Sequence, residues 1–480
     1  MNSKLSPKRS IKRDVPCTIT ILQFYTMEAP ELLSTRTGGT AILIDSYKFL
    51  KDKERGETFY WKCSNKSCKS RCTTDSSLQM KARPSDHNHP TPCVNIDRVR
   101  QDVKKRSLQS MNEPAGKIVC EEAIKHDELT YKEVTHLKNS VYRCRLKQRP
   151  PLPKTRQEAM EAISNICNET LDIMKTDHDN EIIMITSSSS LTFLCSCDHV
   201  LSDGTFKTCP KLFYQLYTFH GYESGTYVSC VYFLLPNKSA KTYGKMMKML
   251  VETVTEKEQV LSPSFFHVDM EVPVIKTLTA MWPECKIRLC HFHVTQAWYR
   301  KIQTSGMANS YSNPESELGN WLKLFFALPS LRTDDVEDAF VFDLMSDSPS
   351  CQASHDFTDY MLLNYIKNDS KFPPSLWADL KSNDVTTTNA CESFHQHFKK
   401  SLQTVHPNIY RFIDGLEEAE RRATLKLRNL QLGATPNKKR KLAIDKTASK
   451  YKIIEDYEQG RITRIEFLKT MCKTMLPPRL

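Results

Sequence analysis

Between Glu181 and Ile302 short apolar segments alternate with segments of helical period, and that order restricts the fold more than any other feature. Glu181 to Thr186, Leu191 to Cys195, Leu212 to Phe219 and Tyr227 to Leu235 read as strands. Lys241 to Thr255 places Tyr243, Met246, Met247, Leu250 and Val251 on one helical face. Phe265 to Val268 is a further strand, and Val274, Leu278 and Met281 then repeat at helical intervals. Ile287 to Cys290 reads as a strand and Phe292 to Ile302 as a helix. From Leu191 onward the order β, β, β, α, β, α, β, α predicts an α/β unit. Residues 304 to 380 are polar and mostly helical, a helix runs from Asn389 to Leu402, and the C-terminal fifth is charged and helical with a break at Gly433 to Lys439.

Two aspartates sit where that order makes them interesting. Asp203 lies in LSDGTF, after a strand and at the start of a glycine turn. Asp269 lies in FFHVDME, at the end of the strand Phe265 to Val268. In a β-β-β-α-β order of the ribonuclease-H type, the first and fourth strands are neighbours, so the two acids would lie side by side. Adjacent carboxylates repel unless a divalent cation sits between them. Oxygen ligands favour Mg²⁺ or Mn²⁺, which can clamp a phosphoryl displacement. Taken singly, each aspartate also reads as a cap or turn residue. Glu271 reads as a helix N-terminal acid favoured by the dipole.

Near the N-terminus, Cys63-x4-Cys68 and His87-x-His89 offer four sulfur or nitrogen donors within 27 residues. Zinc takes such a set in a tetrahedron, and in a small β unit the ion supplies much of the folding energy. Buried cysteines with an accidental histidine pair are the alternative. Ala41 to Asp45, Tyr47 to Phe49 and Phe59 to Cys63 read as short strands, punctuated by Gly38, Gly39 and Gly56. Cys72 and Cys93 are spare and read as structural, with Cys72 able to compete for metal; Trp61 reads as core.

Two resemblances follow from these residues. Gly38-Gly39-Thr40, Leu43, Tyr47, Phe49, Trp61, Cys63, Cys68, Arg71, His87 and His89 resemble the FLYWCH zinc finger. The family is similar to WRKY-type β-sheet zinc domains and implies binding to DNA or protein. Leu33 stands where its first aromatic is usual, and Ser46 where glycine is usual. The segments DGTF, YQLYTFHG, VYFLLPNKSAKTY, FHVDMEVPVIKTL and CHFHVTQAWYRKIQ resemble the transposases of Mutator-like elements, over about residues 185 to 305. That resemblance implies an RNase H-like fold of the DDE type, a helical insertion before the last acid, and metal-dependent cleavage and joining of DNA. The family pattern for the third acid, T-N-N-x-x-E-x-x-H, is similar to Thr387-Thr388-Asn389-Ala390-Cys391-Glu392-Ser393-Phe394-His395, with Thr388 replacing an asparagine. Asn389, Glu392 and His395 share a helix flank. The resemblance makes Glu392 the third metal ligand; by itself it reads as a solvated carboxylate. Cys290-x2-His293 matches a family element, and with no second pair evident it reads as structural or as a DNA contact. Trp298 and Tyr299 read as core, with base stacking the alternative.

Charge and composition agree with a polyanionic partner without requiring one. The 68 Lys and Arg exceed the 56 Asp and Glu by 12, and residues 94 to 156 carry a local excess of 7. That basic stretch follows a DNA backbone or is a solvated surface. Lys438, Lys439, Arg440 and Lys441 read as a nuclear localisation signal, a phosphate contact or plain surface charge. No apolar run is long enough for a membrane span, and no cleavable signal is evident. The 17 cysteines therefore point to a reducing compartment.

The expected organisation is a basic tail over 1–25, a FLYWCH-type β-rich zinc domain over 26–92 and a basic helical region over 93–165. An RNase H-like core over 166–303, a helical insertion over 304–385, the final core helix with the third acid over 386–436 and a basic helical tail over 437–480 follow. The expected function is that of a nuclear, homo-oligomeric DNA transposase carrying structural zinc and catalytic Mg²⁺ or Mn²⁺, with double-stranded DNA as partner. The alternatives are a domesticated, catalytically inactive DNA-binding transcriptional regulator, and a chain whose zinc domain binds only protein.

Overall fold

The computed structural model describes residues 30–35, 39–90, 95–111, 113–126, 129–166, 168–380, 389–402, 404–433 and 441–475. The chain divides into two units, Met1–Pro150 and Pro151–Leu480, with the division inside the proline-rich stretch PPLPKT.

In the first unit six strands form one antiparallel meander in chain order: β1 (Glu31–Ser34), β2 (Thr40–Ile44), β3 (Tyr47–Arg55), β4 (Thr58–Cys63), β5 (Arg71–Asp75) and β6 (Met80–Ala82). The turns explain the register. Asp45 and Ser46 both take positive φ, 50° and 65°, in the two-residue link between β2 and β3. Gly56, at φ 53°, turns β3 into β4. The core beneath is small: Ile42, Phe49, Trp61, Cys63 and Cys72. Leu33, in the place of the family's aromatic, is buried beside Ala41 and Leu43. Helices α1 (Asn95–Gln109), α2 (Ala115–Ala123), α3 (Tyr131–Val134) and α4 (Lys138–Gln148) bury Val99, Val103, Ile118, Leu137 and Val141 among themselves. Lys48 Nζ meets Asp97 Oδ2 at 2.5 Å and ties β3 to α1.

The second unit is built on a seven-stranded sheet of order β13-β12-β9-β10-β11-β8-β7. Its strands are β7 (Ile173–Asp177), β8 (Ile182–Thr186), β9 (His199–Thr205), β10 (Gln215–Glu223), β11 (Thr226–Leu235), β12 (Phe265–Val268) and β13 (Lys286–Leu289). β7 to β11 pair antiparallel; β12 runs parallel to β9, and β13 parallel to β12. Both faces are covered, which is why IIMIT and VYFLL are continuously apolar. Ile182 and Met184 face one core with α7 (Ala240–Glu256), α8 (Val272–Met281) and α9 (His291–Thr304). Ile183 and Ile185 face the other, with α5 (Arg156–Ser164), α14 (Asn389–Leu402) and α15 (Ile409–Gln431). Between them in sequence, α10 (Ala308–Ser312), α11 (Glu317–Leu324), α12 (Asp335–Asp338) and α13 (Gln352–Met361) extend the first core.

Several expectations need correcting. Leu191 to Cys195 is not a strand but part of α6 (Ser188–Ser196), capped by Ser187, whose hydroxyl accepts from the Ser190 N–H. The short apolar run fits either state, and the cap decides it. Asp203 lies inside β9, opposite Thr218, not in a turn. Within the stretch read as a basic helical tail, the described residues 441–475 are helical and packed on the second unit. After α16 (Lys441–Glu458), α17 (Arg464–Met475) buries Phe467, Leu468 and Met471 in the first core. α5, read within the basic region, belongs to the second unit's core.

Candidate functional site

In the first unit the ends of β4 and the loops after it bring four donors together. Cys63, Cys68, His87 and His89 place their ligand atoms within 4.8 Å of one another. Cys63 Sγ lies 3.2 Å from His89 Nε2, and Cys68 Sγ lies 3.4 Å from His87 Nδ1. Zinc bonds of about 2.3 Å to sulfur and 2.0–2.1 Å to nitrogen put tetrahedral neighbours roughly 3.5 Å apart, so the donor set fits zinc. The surroundings orient the rings. His89 Nδ1 is 2.9 Å from the Pro90 carbonyl, which only accepts, so the proton sits there and Nε2 is free to ligate. Tyr47 stacks on His87 at 3.6 Å, and its hydroxyl donates to the His89 carbonyl at 3.2 Å. Burial opposes ionisation of Cys68, yet the Ser70 and Asn88 N–H groups outweigh it and hold the thiol below its usual range. Cys72 stays out of the cluster, buried under Trp61, with its thiol pushed up to about 12 by burial.

In the second unit the sheet register sets the acids. β12 pairs with β9 through His267↔Leu201. Two residues further along each chain stand Asp269 and Asp203, so they emerge together at the C-terminal end of the parallel pair. With Gly204, Tyr217, Glu271 and Val274 they line a cavity of about 10 Å³, room for about one water-sized sphere. Burial raises the Asp269 carboxyl; His293 pulls it down, and the Asp203 carboxylate raises it again, for a net rise. Three carboxylates thus line one small cavity, Asp203, Asp269 and Glu271; Glu392 is not among its lining residues.

α14 crosses this end of the sheet. Its buried residues Cys391, His395, Phe398 and Leu402 recur at helical spacing, and Cys391 packs on Leu201 of β9. That seat brings His395 Nδ1 to 3.1 Å from Asp203 Oδ2. His395 Nε2 meets Thr218 Oγ1 at 3.1 Å, and the same hydroxyl reaches His220 at 2.9 Å. Glu392, in the first turn of α14, lies 3.3 Å from His293 Nε2, whose Nδ1 is 2.7 Å from Asp269 Oδ1. One imidazole thus spans Asp269 and Glu392. Burial opposes its protonation, but Asp269 and then Cys290 outweigh that and push it up to about 11. Asp269, Cys290 and His293 form a second three-donor cluster. The sequence showed no partner for Cys290 and His293; the fold supplies Asp269. Asn389 is exposed on the first turn of α14.

Residues 199–297 match the MULE transposase domain, and residues 32–89 match the FLYWCH zinc finger domain. The chain carries a MULE transposase domain behind an N-terminal FLYWCH zinc finger. The FLYWCH match contains all four zinc-type donors, and the MULE match contains Asp203, Asp269, Cys290 and His293. Glu392 and His395 lie beyond it, so only the packing of α14 links them to the MULE domain. Two proteins named FLYWCH-type zinc finger-containing protein 1, from Homo sapiens and Mus musculus, are each 29% identical over 90 residues. That stretch is 18% of this chain and only 12% and 13% of those proteins.

Sequence reasoning missed Glu271 as a neighbour of the acids. It caps α8 by position but makes no side-chain cap bond; Tyr243 donates to it at 2.5 Å and Gln215 donates to Tyr243 at 2.7 Å. Its spacing of two from Asp269 was the one available signal. Lys438, Lys439 and Arg440 lie outside the described residues, as does the side chain of Lys441, together with Thr387, Thr388, Cys93 and the basic stretch before residue 30. Among the described residues no helix is long and apolar enough to cross a membrane.

Proposed function

We propose that the chain is a DNA transposase of the DDE type, cutting and joining DNA strands on an RNase H-like fold. The observation that carries this reading is the register that sets Asp203 beside Asp269 at the ends of two parallel strands, with α14 bringing Glu392 into the same cleft. The sheet order supports it: β9 to β11 are antiparallel, the parallel strands β12 and β13 are added beside β9, and β8 and β7 extend the other edge. Asp203, Asp269 and Glu392 would hold Mg²⁺ or Mn²⁺. Such ions supply, when bound, activation of an oxygen nucleophile and stabilisation of the leaving 3′ oxygen. The chain's own residues prepare that chemistry. His395, itself held by Thr218, fixes the Asp203 side chain, and His293 bridges Asp269 at 2.7 Å and Glu392 at 3.3 Å.

The zinc finger and the basic helices after it would grip DNA through phosphate contacts. Zinc at Cys63, Cys68, His87 and His89 is structural in this reading. The protein acts in the nucleus as a homo-oligomer, directed there by Lys438, Lys439, Arg440 and Lys441.

One observation favours a second reading, a DNA-binding regulator that does not cut. His293 bridges Asp269 and Glu392 and, protonated, offsets part of their charge, the role a catalytic cation would otherwise take. Labelled DNA carrying the sequences that flank the gene, incubated with zinc-loaded protein and Mg²⁺, separates the two. The transposase reading predicts nicks at discrete element ends in that DNA; binding without any nick in Mg²⁺ or Mn²⁺ overturns it.

A further inference from the structure

Beside the acidic cleft lies a groove of about 650 Å³ whose lining includes Thr205, Lys207, Thr208, His395, Lys399 and Lys400. It begins where the cleft ends. Thr205 stands two residues after Asp203 on β9, and His395 lines the groove while its ring nitrogen touches Asp203. None of the described residues lining the groove is acidic. Lys207, Lys399 and Lys400 are exposed, and no described carboxylate pairs with them. Two of these lysines occupy the last turn of α14, where they also suit the helix dipole. The dipole accounts for neither Lys207 nor Thr208, which come from a different part of the chain.

Thr208 is the second, independent sign. It is 1% exposed, lines the groove, and its hydroxyl has no hydrogen-bond partner among the described residues. A buried polar group without a partner costs about 1–3 kcal/mol, so such groups are rarely left idle. The loop that carries it is pinned in place. The His406 N–H donates to the Lys207 carbonyl at 3.0 Å, and the His406 ring lies 3.1 Å from the Cys209 carbonyl. A preformed wall with three cations and an idle hydroxyl matches the oxygens of a phosphodiester chain.

We propose that this groove binds the sugar-phosphate backbone of the DNA strand next to the phosphate that reacts at Asp203 and Asp269. The inference rests on the transposase reading for its choice of ligand. Lys207, Lys399 and Lys400 neutralise successive phosphates, and Thr208 donates to a phosphate oxygen. The contacts carry no sequence information, so the groove sets the register of the strand and leaves the choice of sequence to other parts of the chain.

The test measures affinity of the zinc-loaded full chain for a labelled mixed-sequence duplex against salt, with no Mg²⁺ or Mn²⁺ present. Wild type is compared with a Lys207→Ala, Lys399→Ala, Lys400→Ala triple variant and with a control triple, Lys245→Ala, Lys248→Ala, Lys257→Ala, on and just after α7. Each lost phosphate contact lowers the slope of log affinity against log salt by about 0.9, so the groove variant should lose about 2 to 3 and the control less than about 1. An unchanged slope, or an equal fall in both variants, overturns the proposal. Because nothing is cut in this assay, its failure is separate from failure of the transposase reading. A wild type that nicks DNA while the groove variant keeps its slope sinks the groove alone. A groove variant that loses slope in a protein that never nicks leaves the groove standing.

Discussion

The zinc finger and the acidic cleft both gather charged ligands, but they differ in what the ligands do for the fold. The finger has five buried apolar residues in its main cluster and four donors on a strand end and two loops. The cleft sits on a sheet buried on both faces by two large cores. A small β unit without its ion has little to hold it, whereas a doubly covered sheet folds with or without one. The lesson is that metal-type donors close in sequence mark a folding device, and the acids we propose as ligands, spread along 190 residues from Asp203 to Glu392, would mark a device built on a fold that already stands.

The largest expected effect tests the finger's side of that contrast. Chelation of zinc, or Cys63→Ser or His89→Ala, should remove apparent binding energy on the order of 10 kcal/mol and unfold the finger. Hydrogen exchange read by mass spectrometry on the full chain should show loss of protection across β2 to β5 and none across β8 to β12. Retained protection in the finger would make its cysteines merely buried.

The second prediction concerns the acids. Asp203→Asn, Asp269→Asn and Glu392→Gln should each lower strand cleavage about a thousandfold or more, with double variants little worse than singles. Thermal unfolding of the second unit should stay close to wild type, because the cores are untouched. Cleavage that persists in Glu392→Gln alone would move the third ligand elsewhere and keep the fold.

A smaller effect belongs to the support of Asp203. His395→Gln removes the 3.1 Å contact and should reduce cleavage about 10–100-fold, the usual cost of losing a group that orients a ligand. Unaltered kinetics would make His395 a packing residue only.

The smallest effect is a pH dependence that separates the two regions again. Burial first, then His199 and Arg288, push His267 down to about 3. The unfolded chain therefore takes up the proton before the folded one. Stability is complete above the unfolded value and falls as pH drops towards 3. Between pH 7.5 and 6 the second unit should lose about 0.8 kcal/mol per such histidine, measured by denaturant melts. The finger should instead fail abruptly in acid, as its histidines protonate and release the ion.

What the sequence made legible follows the same contrast. All four finger donors, the strand Phe265 to Val268 and the helix Asn389 to Leu402 were readable because each signal is local. The run Leu191 to Cys195 misled because five residues, four of them apolar, fit strand or helix equally, and only the Ser187 cap decides. Asp203 looked like a turn residue because Asp-Gly favours turns, yet pairing with β10 holds it extended. The contacts of His293 with Glu392 and of His395 with Asp203 join residues 99 and 192 positions apart, a distance no local pattern reports. The groove at Thr208 was invisible for the same reason, whereas Glu271 offered only its spacing of two from Asp269.

The claim that the acids bind a cation the fold does not need is tested most directly with Mn²⁺. Titration of zinc-loaded full chain, without DNA, followed by the electron paramagnetic resonance signal of free Mn²⁺, compares wild type with Asp203→Asn at matched melting temperature. The account predicts uptake by wild type and an affinity at least about tenfold weaker in Asp203→Asn, with both proteins equally folded. Equal uptake by the two, or no uptake by either, would contradict it.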